Sequence, residues 1–510
     1  MVDPGIEPQH PAAMVQDASL LLSLSTELLL LILEYLPNAA LLAISKTSQR
    51  LHCFALPAYL SRHGISNSQP TSLILHGKTI DALPGLRASL SITSLDSISC
   101  KFEGPDEARF ARDVTNLLRF IHKLTRVNCV TLHMGSIDAR WVYGFATAKS
   151  DAWKPTFLRL LDTILERHCS SLTVTHGYFV LPMSPKGGLA WHHQLVGTSE
   201  SVAAARSTFL GYSFAARRQR PSIERRLSST ELKSFSIHSN MLLVQPFCDW
   251  TLRTLNSCDI RSLSVSFWGI SQDTWASILP TITLPSLVEF TAGTTDIAFP
   301  DLIEFLSRHP SIHTLNLHPH FGYPGSQKRP RRSKHKRLLP QLTALGGSPS
   351  NITTLLSQLH PPPQLYTIAL SLPMHQRVFQ LSDFEQLNQH IAHVTHDITV
   401  PTVLKLEFTV PYETSAAQPP IEEGDRGIAA VFRGVQTLSF SSDGTFAFEK
   451  WVVSVLPAWL TNFVALRHVR FAQVCAPAEV DARQRLVTAI TARCPGVQTV
   501  TVGDHIQSFR

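Results

Sequence analysis

The sequence predicts an α/β protein with a short helical unit near its amino terminus and a long array of alternating strands and helices behind it. Three observations favour this fold. An apolar run near the amino terminus is bounded by helix-capping and helix-ending residues, a short apolar pattern then recurs every 25 to 38 residues, and helix-like stretches fill the intervals. Because strands and helices alternate, the strands should form a parallel sheet.

Length and composition set the domain organisation. The chain has 510 residues, of which 44% are hydrophobic and 16% are charged, so wholesale disorder and a low-complexity chain are excluded. This length exceeds one ordinary compact domain and suits either three domains or one elongated array. We divide the chain into a disordered tail (1–19), a helical unit (20–65) and an array (70–510) with inserts at about 182–231, 319–340 and 411–427.

The net charge of +7 comes from one short segment and does not predict a basic surface. Without seven basic residues of this segment, 38 basic residues balance 38 acidic ones. The run could be a nuclear-localisation signal or a nucleic-acid patch, or simply a solvated loop. No aromatic residues interleave it, so nucleic acid is the less favoured ligand. Its basic residues are Lys328, Arg329, Arg331, Arg332, Lys334, Lys336 and Arg337.

Cysteine usage and the apolar run bear on localisation. The eight cysteines are scattered with no Cys-x-x-Cys pair, which argues against a disulfide framework or a zinc ribbon and fits buried thiols in a reducing compartment. The apolar run Leu20–Leu36 is interrupted by polar residues and by Glu27 and Glu34, so it does not predict a membrane-spanning helix. No Lys or Arg precedes it, so it does not predict a signal peptide either. We therefore expect an intracellular protein without a membrane partner, in the cytoplasm or the nucleus.

Three short helices are predicted after the tail. Ser25 or Thr26 can cap a first helix that ends before Pro37, a second fits residues 39–48, and a third fits residues 49–57. Residues 28–33 are apolar on every side of the first helix, more than such a small unit can cover. This surface must pack either on the rest of the chain or on a partner.

The helical unit resembles the F-box, whose pattern is LPxELLxxIL, a break, and LLxxSxxSxxW/L. The resemblance covers residues 22–63 and continues into a HxFALPxYLxxHGI segment found in fungal members. Ser25 replaces the family's Pro, and Leu51 replaces its frequent Trp. The matching residues are Leu24, Glu27, Leu28, Leu29, Ile32, Leu33, Leu36, Leu41, Leu42, Ile44, Ser45, Ser48, Arg50, Leu51 and Ala55.

The resemblance implies a partner and a role. F-box helices bury an apolar face against a Skp-family adaptor, which links them to the cullin and RING subunits of a ubiquitin ligase. The protein would then recognise a substrate, and other subunits would perform the chemistry. Carried over residue by residue, the adaptor-binding set is Leu24, Leu28, Ile32, Leu33, Leu36, Leu42, Ile44 and Leu51.

The array is predicted from a recurring triplet, in which an apolar residue is followed by others three and five positions later. One such triplet per 25–38 residues is typical of a leucine-rich-repeat solenoid, although the usual Asn is absent and the unit length drifts. The alternative is an α/β domain without a regular superhelix. The triplets begin at Val127, Leu232, Ile260, Leu287, Ile312, Leu365, Val403, Val435, Leu466 and Val497.

In a solenoid, the residues between the apolar positions line the concave face, where such arrays bind protein partners. These residues are polar and carry both signs of charge, so they define no class of substrate. The candidates are Ser236, Ser264, Ser266, Thr291, Asn316, His318, Lys405, Glu407, Ser439, Arg470 and Thr501.

The sequence offers no support for catalysis. His-Glu-x-x-His, Gly-x-Ser-x-Gly and GxGxxG are absent, and His390, His393 and His396 lack the spacing and co-ligands of a metal site. We expect no enzymatic activity, cofactor or metal. The hypothesis is a substrate receptor of a Skp, cullin and F-box ubiquitin ligase that binds an unidentified protein. The alternatives are a repeat scaffold with no ubiquitin role and a nucleic-acid-binding protein that uses residues 328–337.

Overall fold

The structure is a computed structural model, and it confirms the α/β fold with mainly parallel strands. The tail 1–19, the basic run and almost all of the three inserts lie outside the described residues. The structure describes residues 23–65, 70–102, 107–135, 153–177, 231–244, 246–267, 270, 272–293, 297–317, 338–359, 365–373, 388–391, 402–409, 432–442, 452–472, 480–503 and 505–509.

The chain divides into two compact units. Unit 1 comprises residues 1–232 and 241–250, and unit 2 comprises residues 233–240 and 251–510. Unit 1 begins with three helices, α1 (Thr26–Tyr35), α2 (Asn38–Ile44) and α3 (Gln49–Arg62). The side chains of Ser25 and Ser48 accept hydrogen bonds from backbone N–H groups in the first turns of α1 and α3, as N-caps do.

The predicted end of the third helix at Pro57 is wrong, because α3 continues to Arg62 with Pro57 inside it. Proline removes one backbone hydrogen bond from a helix. The buried side chains of Leu56, Tyr59 and Leu60 flank Pro57 and anchor the turn that follows it. Tertiary packing therefore outweighs the local preference for a helix end.

The rest of unit 1 alternates strands and helices. Its four strands pair in chain order, and every pair is parallel. A 3-10 helix, Gly77–Ala82, follows the first strand. The elements are β1 (Ser72–Leu75), α4 (Leu83–Ala88), β2 (Ser94–Lys101), α5 (Glu107–Lys123), β3 (Arg126–His133), α6 (Trp153–Glu166) and β4 (Ser171–Thr175).

Unit 2 follows the same plan. Its strands also pair in chain order and in parallel, except that β15 pairs with β14 in the antiparallel direction. The first residues of α7 belong to unit 1. The elements are β5 (Ser234–His238), α7 (Phe247–Ser257), β6 (Ser262–Val265), α8 (Gln272–Ile278), β7 (Glu289–Ala292), α9 (Phe299–Ser307), β8 (Thr314–Leu317), β9 (Ala344–Gly347), α10 (Pro349–Leu356), β10 (Thr367–Pro373), β11 (Val403–Thr409), β12 (Thr437–Ser442), α11 (Val452–Leu460), β13 (His468–Phe471), α12 (Val480–Arg493), β14 (Thr499–Val502) and β15 (His505–Ser508).

The recurring triplets form the inward face of the strands. Outside the triplet that begins at Val403, every triplet residue is buried. The interval between Leu315 and Ile368, which has room for two repeats, contains β9, whose Leu345 pairs with both neighbours. The strands β1, β2, β4 and β15 were not predicted, although Leu95/Ile98/Cys100 in β2 and Cys169/Leu172/Val174 at β4 have the triplet spacing and are buried.

One predicted register is wrong. In β11 the residue opposite Ile368 and Leu438 is Leu404, whereas the triplet Val403/Leu406/Phe408 placed Leu406 there. Leu404 and Leu406 are buried, and Val403 is half-buried. The segment Val403–Phe408 contains overlapping apolar pairs, so only the pairing with neighbouring strands decides which positions are equivalent.

The helix ends are tied together by long cationic side chains. The last carbonyl groups of a helix have no partner within it, and a cation there can satisfy them. At the end of α9, the Arg308 guanidinium donates to three carbonyls in and just after the short 3-10 helix Leu279–Thr281, which follows α8. The acceptors are Leu279 O (2.7 Å), Ile282 O (2.9 Å) and Pro280 O (3.2 Å). Three other cations make the same kind of contact with the end of an earlier helix. Arg62 of α3 donates to the end of α1, Lys123 of α5 to the end of α4, and Arg167, just after α6, to the end of α5.

A buried histidine follows Arg308. The Nδ1 atom of His309 lies 2.7 Å from Phe305 O, and the N–H of Leu284 donates to Nε2 at 3.0 Å. These contacts require a neutral ring that carries its proton on Nδ1. Burial lowers the pKa of His309, the Phe305 carbonyl opposes this shift, and Arg308 adds to it.

We expect His309 to make the protein sensitive to mild acid. Because its folded-state pKa lies below the unfolded value of about 6.5, its contribution is complete above that value and is lost as the pH falls from there through the folded-state pKa. His309→Gln retains a donor and an acceptor but does not titrate. The fall in melting temperature between pH 7.5 and 5.5 should be smaller in this variant by about 2–4 °C. Equal falls in the two proteins would contradict the assignment.

Candidate functional site

The first helix presents two apolar faces. Leu29 and Leu33, one turn apart, are buried against the other helices. On a second face, four side chains follow the i, i+3, i+4, i+7 spacing of one helical stripe and are solvent-exposed. We call them the α1 stripe, and their exposed fractions are 50% for Leu28, 53% for Leu31, 40% for Ile32 and 85% for Tyr35.

Hydrogen bonds from α3 fix the orientation of α1. The Arg62 guanidinium donates to Leu33 O at 3.1 Å and also to the carbonyls of Glu34 and Leu36. At the other end of α1, Arg50 Nη2 donates to Leu24 O at 2.7 Å. Both ends of α1 are thus held, so the α1 stripe is presented on a fixed backbone.

The helical unit is joined to the first repeat through α3. The hydroxyl of Tyr59 donates to Asp81 O at 2.8 Å, and burial, with Asp81 nearby, raises the pKa of Tyr59. A Cβ at Gly85 would lie 2.5 Å from the Tyr59 ring, so only glycine allows α4 to approach this closely. His63 Nδ1 lies 3.1 Å from Lys78 O. These contacts leave the α1 stripe uncovered by the described residues.

The predicted adaptor-binding residues differ in their exposure to solvent. Leu28 and Ile32 are exposed, and Leu24, Leu36, Leu42 and Ile44 are half-buried. The assignment of Leu33 and Leu51 is corrected: with exposed fractions of 2% and 4%, they form the interior of the helical unit and are not accessible to a partner. Leu31 and Tyr35, which are exposed on the same stripe, were not in the predicted set, although their helical spacing from Leu28 could have identified them.

The predicted substrate face is a continuous row across the strands. Register aligns Ser264, Asn316, Lys405 and Arg470 in this row, and Glu407 lies two residues beyond Lys405 on the same face. His318 lies outside the described residues. The complete row in unit 2 is Ser236, Ser264, Thr291, Asn316, Gly346, Ala369, Lys405, Ser439, Arg470 and Thr501.

The row changes in character along unit 2. Its first half carries small uncharged groups, and the Asn316 side chain lies over Gly346, where a Cβ would be 2.2 Å from Asn316 Oδ1. Its charged residues, Lys405 and Arg470, lie in the second half, on either side of Ser439. The strand face therefore offers hydroxyl and amide groups at one end and cations at the other.

Burial shifts the pKa values of several titratable side chains. Burial raises the pKa of Cys169 and of Cys248 to about 12, which keeps both thiols protonated and unreactive at neutral pH. His133, hydrogen-bonded to Thr175 at 2.7 Å, has a pKa lowered by burial and by His176 and Lys101. Among these residues no group of three or more His, Cys, Asp or Glu could hold a metal ion.

Comparisons with known proteins do not assign the chain to a family. No protein-family model matches it, and no curated protein is similar enough to count as a match. In the parts of the chain that the structure describes, no helix combines the length and apolar character needed to cross a membrane.

A pair of leucine substitutions tests which face of α1 is internal. Leu33→Ala should destabilise the helical unit by about 2–4 kcal/mol, because it leaves a cavity in a filled interior. Leu31→Ala should change stability by less than about 0.5 kcal/mol, because Leu31 is exposed. Hydrogen exchange of residues 26–62 should rise in the first variant only, and equal exchange in both would show that the faces are assigned incorrectly.

Proposed function

We propose that the protein is a substrate-recognition subunit of a Skp, cullin and F-box ubiquitin ligase, and that the helical unit is its F-box. The single observation that carries this proposal is the α1 stripe, an exposed apolar stripe on a helix held at both ends. Exposed apolar stripes of this kind mark protein interfaces. The F-box resemblance of residues 22–63 supplies the partner, a Skp-family adaptor.

The hydrophobic free energy that the α1 stripe can contribute indicates how much of the helical unit takes part in the adaptor interface. Leu28, Leu31 and Ile32 are each about half exposed, so covering them contributes roughly 2–4 kcal/mol of hydrophobic free energy. A micromolar complex requires about 8 kcal/mol after the cost of association. The interface we propose therefore extends to Tyr35 and to the half-buried Leu36, Leu42 and Ile44.

We further infer that the strand and helix array is an irregular leucine-rich repeat that holds the protein to be ubiquitinated. Each strand is paired with its neighbours in the chain, and its inward triplet is buried while the intervening residues form one polar row. The array would contribute proximity and orientation, and the ligase subunits would transfer ubiquitin.

A second candidate is a repeat scaffold in which the helical unit only caps the array. The contacts of Tyr59 with Asp81 and Gly85 favour a capping role, because they cover the start of the array with α3. Capping does not account for the α1 stripe, which lies on another helix. The two candidates therefore differ in whether α1 binds an adaptor.

The variant Leu28→Asp together with Ile32→Asp tests the proposal. Two carboxylates in the α1 stripe would have to be desolvated in the complex, so co-purification with a Skp-family adaptor should be lost. Both side chains are exposed, and the melting temperature should therefore stay within about 2 °C of the wild type. Pull-down with the purified adaptor and a thermal melt measure the two effects.

Leu90→Asp provides the matched control, since Leu90 is an exposed leucine (72%) of unit 1 outside the helical unit. This variant should retain full adaptor binding. The proposal fails if the wild-type chain does not bind the adaptor at micromolar concentration, or if Leu90→Asp reduces binding as much as the double substitution.

A further inference from the structure

The second half of the strand face contains a pair of cations in a defined arrangement. Register places Lys405 of β11, Ser439 of β12 and Arg470 of β13 side by side on one face. Adjacent strands lie about 4.8 Å apart, so the backbones of Lys405 and Arg470 are about 10 Å apart with the short Ser439 between them. Both cations can reach a group that sits over the Ser439 hydroxyl.

Neither cation is neutralised within the part of the chain that the structure describes. Lys405 and Arg470 are exposed, and no carboxylate of the described residues lies within ion-pair distance of either. The nearest acid along the strand, Glu407, accepts a hydrogen bond from the buried Ser371 of β10 at 3.0 Å. This bond holds the Glu407 carboxylate on the β10 side, away from β12 and β13.

The floor between the two cations is made of short hydroxyl side chains. Thr437, Ser439 and Ser441 alternate along β12 on the same face as the cations, and each is half-buried. His468, two residues before Arg470, has Nδ1 2.8 Å from the Thr499 hydroxyl of the next strand. Short hydroxyl side chains on β12 therefore lie between a longer cationic side chain on each neighbouring strand, and we call this arrangement the groove along β12.

We propose that this groove binds an anionic side chain of a partner protein, in the form of a phosphoryl group or a carboxylate. Cations flanking a hydroxyl donor are the chemistry that proteins use for these groups, and an arginine can bind them with two parallel hydrogen bonds. The site rests on the proposed function of the array in holding a partner protein, but it lies in unit 2 and does not require α1.

The size and composition of the groove favour a peptide over a nucleic acid. Single-stranded nucleic acid is held by a long positive track and by aromatic side chains that stack on the bases. Here the positive charge is limited to two residues, Glu407 lies beside one of them, and the described row contains no aromatic residue. One anionic group in an extended peptide matches the two-cation groove.

The test is fluorescence anisotropy on the full chain with labelled octapeptides of serine and glycine. One peptide carries a central phosphoserine, the second a glutamate and the third an unmodified serine; inorganic phosphate and an octamer of deoxythymidine serve as competitors. We expect the phosphoserine or the glutamate peptide to bind and the serine peptide not to bind. The anionic peptide that binds more tightly shows whether the groove prefers a phosphoryl group or a carboxylate, and high salt should weaken its binding.

Lys405→Ala and Arg470→Ala should each weaken the bound peptide by about 10-fold or more, because each removes a charged hydrogen-bond donor. The matched control is Arg467→Ala, which removes the same charge from an exposed arginine just before β13 and should leave affinity unchanged. The double variant Lys405→Ala/Arg470→Ala should still co-purify with the adaptor. Failure of peptide binding can therefore be distinguished from failure of adaptor binding.

Three results would overturn the proposal. The first is that neither anionic peptide binds at millimolar concentration, and the second is that Arg467→Ala weakens binding as much as Arg470→Ala. The third is that the deoxythymidine octamer binds more tightly than both peptides. Far-UV circular dichroism on each variant shows that a loss of affinity is not a loss of fold.

Discussion

The parallel pairing of each strand with the strand of the repeat before it is the constraint on which the rest of the structure depends. A parallel pair needs a crossover, so each repeat returns through a connection before its strand can pair. The pairing also fixes which residues are equivalent between repeats. Phe235, Leu263, Phe290 and Leu315 become consecutive neighbours inside the fold, and the residues that follow them become one outward row.

Pairing alone leaves the helix ends unsatisfied, and a second set of contacts satisfies several of them. The cations at the ends of α3, α5, α6 and α9 donate to carbonyls of an earlier helical segment. Such cations also interact favourably with the negative end of the helix dipole. In the helical unit, the same kind of contact from Arg62 ties the end of α1 to α3.

The sequence predicted those parts of the structure that depend on local pattern. The apolar triplets other than the one that begins at Val403 are buried, and most strands of the array were located correctly. The register of β11 could not be predicted, because its overlapping apolar pairs are equivalent until Leu404 is placed between Ile368 and Leu438. The division of α1 into buried and exposed faces likewise depends on packing, because Leu29 and Leu33 are buried against helices whose placement the local pattern does not fix. Lys405 and Arg470 were recognised as face residues, but their adjacency across Ser439 appears only in the register.

The connections between the described elements vary in length to different extents at the two ends of the strands. From helix to strand they range from two residues between α5 and β3 to ten between α8 and β7. From strand to helix they range more widely, from one residue between β9 and α10 to nineteen between β3 and α6. The cation contacts lie beside the helix-to-strand connections, and a change in length there would break them. Insertions at the carboxyl ends of the strands leave these contacts intact, so that end is where the chain can acquire new binding specificity.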